Sequence, residues 1–197
     1  MSLLLISEIR DDLISPGFGG GFAAHIARKN NPAVRRASLT VWNLLAVGLR
    51  RLGRDDLPDV YFGAQGKPEF IDSRIHFSLA HSGSLAVALL SDAACGVDIE
   101  RIRLDAAERM RERCMSEGER RLGLDFFECW AKKECIGKLD GQGIDAHPAR
   151  IDTLDARWEG QFLTRRIADA ADREYALAAL CGDADKLTLQ WIEPEAF

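Results

Sequence analysis

Two helical stretches, each followed by a series of short β-like runs, constrain the fold of this chain more than any other feature. From Val34 to Leu52 the apolar residues Val34, Val41, Leu45, Leu49 and Leu52 recur at the spacing of one helix face, and Gly53 stops the run. The chain turns helical again through Arg109 to Arg113. It restarts at Ser116, with Glu119 three positions later as a capping box, and continues to about Lys138 before Gly141-Gln142-Gly143 ends it. Residues 3–9 supply a first strand. Val60 to Phe62, Ile75 to Phe77, Leu85 to Leu90 and Cys95 to Ile99 follow the first helix, and Gln161 to Ile167, Glu174 to Cys181 and Leu187 to Ile192 follow the second. This order predicts an α+β chain of two similar halves, 1–100 and 101–197, each a long helix packed on a roughly three-stranded sheet. No Pro- or Ser-rich linker separates them, so they are expected to share an interface.

A length of 197 residues with 47% hydrophobic content is enough to bury a core. The net charge of −5, from 26 basic and 31 acidic residues, gives no global positive field for nucleic acid or an anionic membrane. Any polyanion site must be local. The opening Met1 to Ile6 lacks a basic start and soon meets Glu8, Arg10, Asp11 and Asp12, which points to a cytoplasmic protein rather than a secreted one. Five cysteines form no CxxC pair or disulfide framework and read as small buried hydrophobes. The stretch Ser15 to Gly21 has the glycines of a connection but no GKS/T ending, so it is not a phosphate-cradling loop.

Two constellations carry chemistry. In Gly96-Val97-Asp98-Ile99-Glu100 a strand ends in two acids, and the period of two places Asp98 and Glu100 on one face with Val97 and Ile99 on the other. Such a pair is either a solvated strand end or the oxygen ligands of a hard cation such as Mg²⁺. In Trp130-Ala131-Lys132-Lys133-Glu134-Cys135-Ile136-Gly137-Lys138, residues Trp130, Glu134 and Lys138 recur every four positions and share one helix face. Alone, Glu134 and Lys138 make an ordinary surface ion pair. Beside the strand acids, Glu134 becomes a third carboxylate for the cation and Lys138 a partner for phosphate. Upstream, Gly66-Lys67-Pro68 projects a lysine from a stiff turn, and His81-Ser82-Gly83 offers an imidazole and a hydroxyl. Each of these is ordinary turn chemistry by itself; together they suit a pyrophosphate.

The ordered set GKP, HSG, GVDIE and WAKKECIGK resembles the 4'-phosphopantetheinyl transferase superfamily, in particular its two-lobed, surfactin-type branch and the short holo-acyl-carrier-protein synthases. The resemblance runs from Tyr61 to Lys138. It implies a pseudo-dimer of the two halves with the active site at their interface. It also implies an Mg²⁺-dependent enzyme that moves the phosphopantetheine arm from coenzyme A to a serine of an acyl or peptidyl carrier protein in fatty acid or secondary metabolite biosynthesis. Asp98, Glu100 and Glu134 are then the metal ligands, and Asp98, Glu134 and Lys138 the catalytic set, with Glu134 as the base. Lys67, Pro68, His81 and Lys138 hold coenzyme A. The chain departs from the family at Ser78 and Ala80, where Asn and Ser are usual, and at Trp42, where the first helix usually brings an Arg to the 3'-phosphate. Arg36 with Arg35, or Arg28 with Lys29, would replace that Arg. These departures keep a noncatalytic coenzyme A or carrier-binding module as the alternative. The acidic carrier is expected to dock near Arg109, Arg111 and Arg113, and the internal duplication implies a monomer.

Overall fold

The computed structural model describes residues 1–197, apart from the side chains of Leu104 and Ala106. The opening apolar run becomes β1 (Ser2–Glu8). After a short α1 (Phe22–Ala27) comes the long amphipathic α2 (Pro32–Arg51). It starts where the Asn31 side chain accepts from the Ala33 and Val34 amides, has a proline in its first turn, and carries Arg50 and Arg51 in its last turn, which complements the helix dipole. The hairpin strands β2 (Val60–Phe62) and β3 (Pro68–Phe70) follow, then β4 (His76–Ser82), β5 (Leu85–Ser91) and β6 (Gly96–Arg101). The second half holds α3 (Leu104–Cys114), α4 (Glu117–Arg121), α5 (Phe126–Leu139), β7 (Phe162–Ala168), β8 (Glu174–Leu180) and the short β9 (Leu189–Trp191).

The expected capping box at Ser116 and Glu119 is present. The single helix expected beyond it is not: Gly123, at φ +64°, ends α4, and the Asp125 side chain caps a new helix by accepting from the Glu128 amide. This break lets α5 choose its own direction across the second sheet.

Four strands form one sheet in the order β4-β5-β1-β9, and three form another in the order β6-β8-β7. Strand alternation sorts their side chains. Leu5, Ala86, Ala88 and Leu90 pack with Trp42, Leu45 and Leu49 of α2, while Leu4, Ile6, Val87 and Leu89 face Val97, Ile99, Leu177 and Ala179 of the second sheet. The outer face of that sheet meets α5 through Ala131, Cys135, Ile136, Ala178 and Leu180. The layers are thus helix, sheet, sheet, helix. A sheet covered on both faces has no polar side, which explains why Leu85 to Leu90 is apolar without interruption. Residue 100 lies within β6, which pairs with β8, and β9 returns from the end of the chain to lie parallel to β1. Among the described residues no helix is long and apolar enough to cross a membrane.

Candidate active site

Pleating turns Val97 and Ile99 of β6 into the inter-sheet core and leaves Asp98 and Glu100 under α5. The α5 face carrying Trp130, Glu134 and Lys138, which their four-residue spacing puts on one side of the helix, lies over them. The pairing differs from expectation. Lys138 Nζ reaches past Glu134 on its own helix to donate to Asp98 Oδ1 at 2.7 Å and to the Val97 carbonyl at 3.0 Å. Glu100 is tethered at both oxygens: Trp130 Nε1 donates to Oε1 at 3.2 Å and Ser82 Oγ to Oε2 at 3.1 Å. Asp98 Oδ2 is buried and has no hydrogen-bond partner.

Burial raises the Asp98 pKa, against the pull of the Lys138 ammonium. Glu100 and Glu134 are raised too, each by burial first and then by the negative charge of Asp98. Burial works against the charge of Lys138, but contact with Asp98 prevails and its pKa is raised. Three carboxylates held above their ordinary range around one ammonium form a site short of positive charge. Among the described residues no three His, Cys, Asp or Glu side chains are gathered as a ready-made ion cage. The free Oδ2 of Asp98, with Glu100 and Glu134 beside it, nevertheless fits a hard divalent ion, which takes one or two carboxylates and fills its remaining positions from water or phosphate.

A cleft of roughly 270 Å³ opens beside this cluster, and Lys67, Pro68, Glu134 and Lys138 all line it. Lys67 Nζ donates to the carbonyl of Leu139, the last residue of α5, at 2.9 Å. The GKP turn is therefore pinned to the C-terminal end of the helix that carries Glu134, where a cation also complements the dipole. His81 lines an adjoining groove of roughly 170 Å³ with His25, Lys29, Ser38, Trp42 and Pro68. Its pKa is lowered by burial and then by the charges of Lys138 and Lys29.

Arg36 is not brought to either opening; it stands exposed on α2. The helix repeat explains this, because Arg36 stands two positions before Ser38, a turn of about 200° away from the groove. Lys29, from the basic stretch just before α2, faces the groove instead. His25 was missed because the six-residue α1 carries no periodic signal. Ser78 spends its hydroxyl on the fold, accepting from the Val97 amide at 3.0 Å, and Ala80 is packed in the inter-sheet core. Trp42 is buried among Phe18, Phe22 and Phe77.

Residues 94–181, from the entry into β6 to the end of β8, match the model of the 4'-phosphopantetheinyl transferase superfamily. Over that stretch, a little under half of its length, the chain is similar to this superfamily. Asp98, Glu100, Glu134 and Lys138 all lie in the matched stretch; Arg36, Lys67, Pro68 and His81 precede it. Among its 4'-phosphopantetheinyl transferase relatives, psf-1 of Bacillus pumilus is 39% identical over 77 residues, 35% of this chain and 33% of that protein. AcpT of Salmonella typhi is 38% identical over 120 residues, 55% of this chain and 60% of that protein. Gsp of Aneurinibacillus migulanus is 34% identical over 87 residues, 40% of this chain and 36% of that protein. The similarity thus spans between a third and three fifths of these transferases. The mixed α+β architecture is consistent with the superfamily.

Proposed function

We propose that the chain transfers the 4'-phosphopantetheine group of coenzyme A to a serine hydroxyl of an apo acyl or peptidyl carrier protein, with Mg²⁺ held by Asp98, Glu100 and Glu134. The observation that carries this reading is the buried, unpartnered Oδ2 of Asp98, whose other oxygen holds Lys138, one of two lysines that line the cleft beside it. The transferase names of the relatives agree with it. When bound, the ion would neutralise charge on the pyrophosphate oxygens.

The chain's own residues account for the rest. Lys67 and Lys138 hold phosphate oxygens from the two sides of the cleft, and Pro68, common to both openings, borders the nucleotide. His81 and Lys29 receive the outlying phosphate in the adjoining groove, in place of the Arg that Trp42 displaces. Glu134, raised above the ordinary carboxylate range, accepts the proton of the carrier serine. The serine oxygen forms a bond to the phosphorus that bears pantetheine as the bond to the leaving adenosine 3',5'-bisphosphate breaks. Positioning and charge neutralisation supply most of the rate in such a transfer.

We also read the two α+β units as the halves of a pseudo-dimer working as a cytoplasmic monomer. Each has one long helix on the outer face of its own sheet, and Ser82 of the first sheet touches Glu100 of the second, which supports an active site between them. The test is mass spectrometry of an apo acyl carrier protein and an apo peptidyl carrier protein incubated with the chain, coenzyme A and Mg²⁺. The expected result is gain of one phosphopantetheine group, abolished by EDTA. No gain on either carrier, with coenzyme A still bound, would overturn transfer in favour of a noncatalytic binder.

A further inference from the structure

A further buried carboxylate, outside the proposed cation ligands, takes no part in the proposed reaction. Asp169 lies just past β7 with its side chain fully enclosed. Its Oδ1 accepts from the amides of Ala171 and Arg173, both at 3.0 Å. Its Oδ2 accepts from Arg173 Nε at 2.6 Å, Ser84 Oγ at 2.5 Å and the Tyr175 hydroxyl at 3.0 Å. Burial alone would raise its pKa, but the bonds from Ser84, Arg173 and Tyr175 hold it well below the usual carboxylate range. Its lone pairs are taken, so it is an anchor rather than a catalyst.

What it anchors is the β4–β5 turn. Ser82 and Leu85 pair across this hairpin, leaving Gly83 and Ser84 as a two-residue turn. The Ser84 amide donates to the Tyr175 hydroxyl at 3.1 Å. Gly83 has φ +56°, and a Cβ there would stand 2.5 Å from that same hydroxyl, so the turn lies directly on the tyrosine. On the near flank of the turn, Ser82 Oγ accepts from the Arg101 amide at 3.1 Å while donating to Glu100 Oε2. Arg101 and Tyr175 are register partners on β6 and β8. The latch and the Glu100 contact therefore sit side by side on the second sheet, and both grip one turn of the first.

We propose that the Ser82–Ser84 turn is a bracket that aims Glu100, with Ser82 as the positioning residue and Asp169 and Tyr175 as the latch that holds it. This rests on Glu100 being a ligand of the divalent ion. Ser82 tethers one carboxylate oxygen from the first sheet and Trp130 tethers the other from α5, so the plane of the carboxylate beside Asp98 is set by both layers at once. Partners that orient a metal ligand are worth about 10- to 100-fold in affinity for the ion.

The test measures Mn²⁺ binding to the whole chain by electron paramagnetic resonance of the free ion, for the wild type and for Ser82→Ala, Ser82→Thr, Ser84→Ala and Tyr175→Phe. Metal-free coenzyme A binding and far-UV circular dichroism are read in parallel. Ser82→Ala should weaken Mn²⁺ binding about 10-fold, and Ser82→Thr, which keeps the hydroxyl, should restore most of the loss. Tyr175→Phe and the milder Ser84→Ala should weaken it in the same direction, with metal-free coenzyme A binding unchanged. Wild-type Mn²⁺ affinity in Ser82→Ala would overturn the bracket while leaving the cation site standing. Wild-type affinity in both Ser84→Ala and a folded Tyr175→Phe would overturn the latch. A wild-type chain with no Mn²⁺ affinity would overturn the cation site, and the bracket with it.

Discussion

Removing the Lys138 ammonium leaves Asp98 as an uncompensated buried acid. Lys138→Met keeps the stem of the side chain but takes away the donor to Asp98 Oδ1 and to the Val97 carbonyl. Because Asp98 Oδ2 already lacks a partner, no oxygen of that carboxylate would retain a side-chain donor. Breaking a fully buried pair costs about 3–5 kcal/mol. The Lys138 side chain is 28% exposed and that of Asp98 9%, so water screens the pair in part and the expected loss is about 2–3 kcal/mol. The loss should depend on pH in a definite direction. The folded-state pKa of Asp98 is raised by burial, and removing the ammonium raises it further. As the pH falls through that value the folded chain takes up a proton that the unfolded chain does not, so the variant regains stability. Urea unfolding at pH 8 and pH 5.5 should therefore show a larger deficit at the higher pH, and Asp98→Asn added to Lys138→Met should recover much of it. An equal deficit at both pH values, or no recovery in the double variant, would refute the account of Asp98 as a buried acid held charged by Lys138.

Three further outcomes are expected. Glu134→Gln should abolish carrier modification while leaving the urea midpoint nearly unchanged; in the wild type the rate should fall on the acid side with a midpoint above the ordinary glutamate value of about 4.3, because burial and Asp98 raise the Glu134 pKa. Lys133→Met breaks the enclosed ion pair with Glu119, whose side chains are 1% and 0% exposed, and should cost about 3–5 kcal/mol in equilibrium unfolding. Arg109→Glu with Arg113→Glu should raise the KM for an acidic carrier several-fold without changing coenzyme A binding; Arg111 is left in place because it donates to the Leu124 carbonyl and ties α3 to the start of α5.

Much of the site was legible before any contact was known, because two of its three parts rest on local periodicity. A strand must alternate, so Asp98 and Glu100 had to share a face; a helix repeats near every fourth residue, so Trp130, Glu134 and Lys138 had to share another. The capping box at Ser116 was legible for the same reason: donor and acceptor lie three residues apart. Pairing between elements was not legible. Lys138 chose Asp98, far away in the chain, over Glu134 one turn away, because packing α5 on β6 brings the ammonium over a buried acid. Lys67 found the end of α5, and Lys29, which precedes α2, reached the groove lined by Ser38 and Trp42 of that helix. The last strand crossed back to β1, although its sequence reads like a third strand of the second sheet. Residue types and their spacing alone determined which side chains share a face and which chemistry they can support. Only the tertiary structure decided which faces meet, because burial rewards apolar area without regard to direction, and the few hydrogen bonds that select among packings join residues distant in sequence.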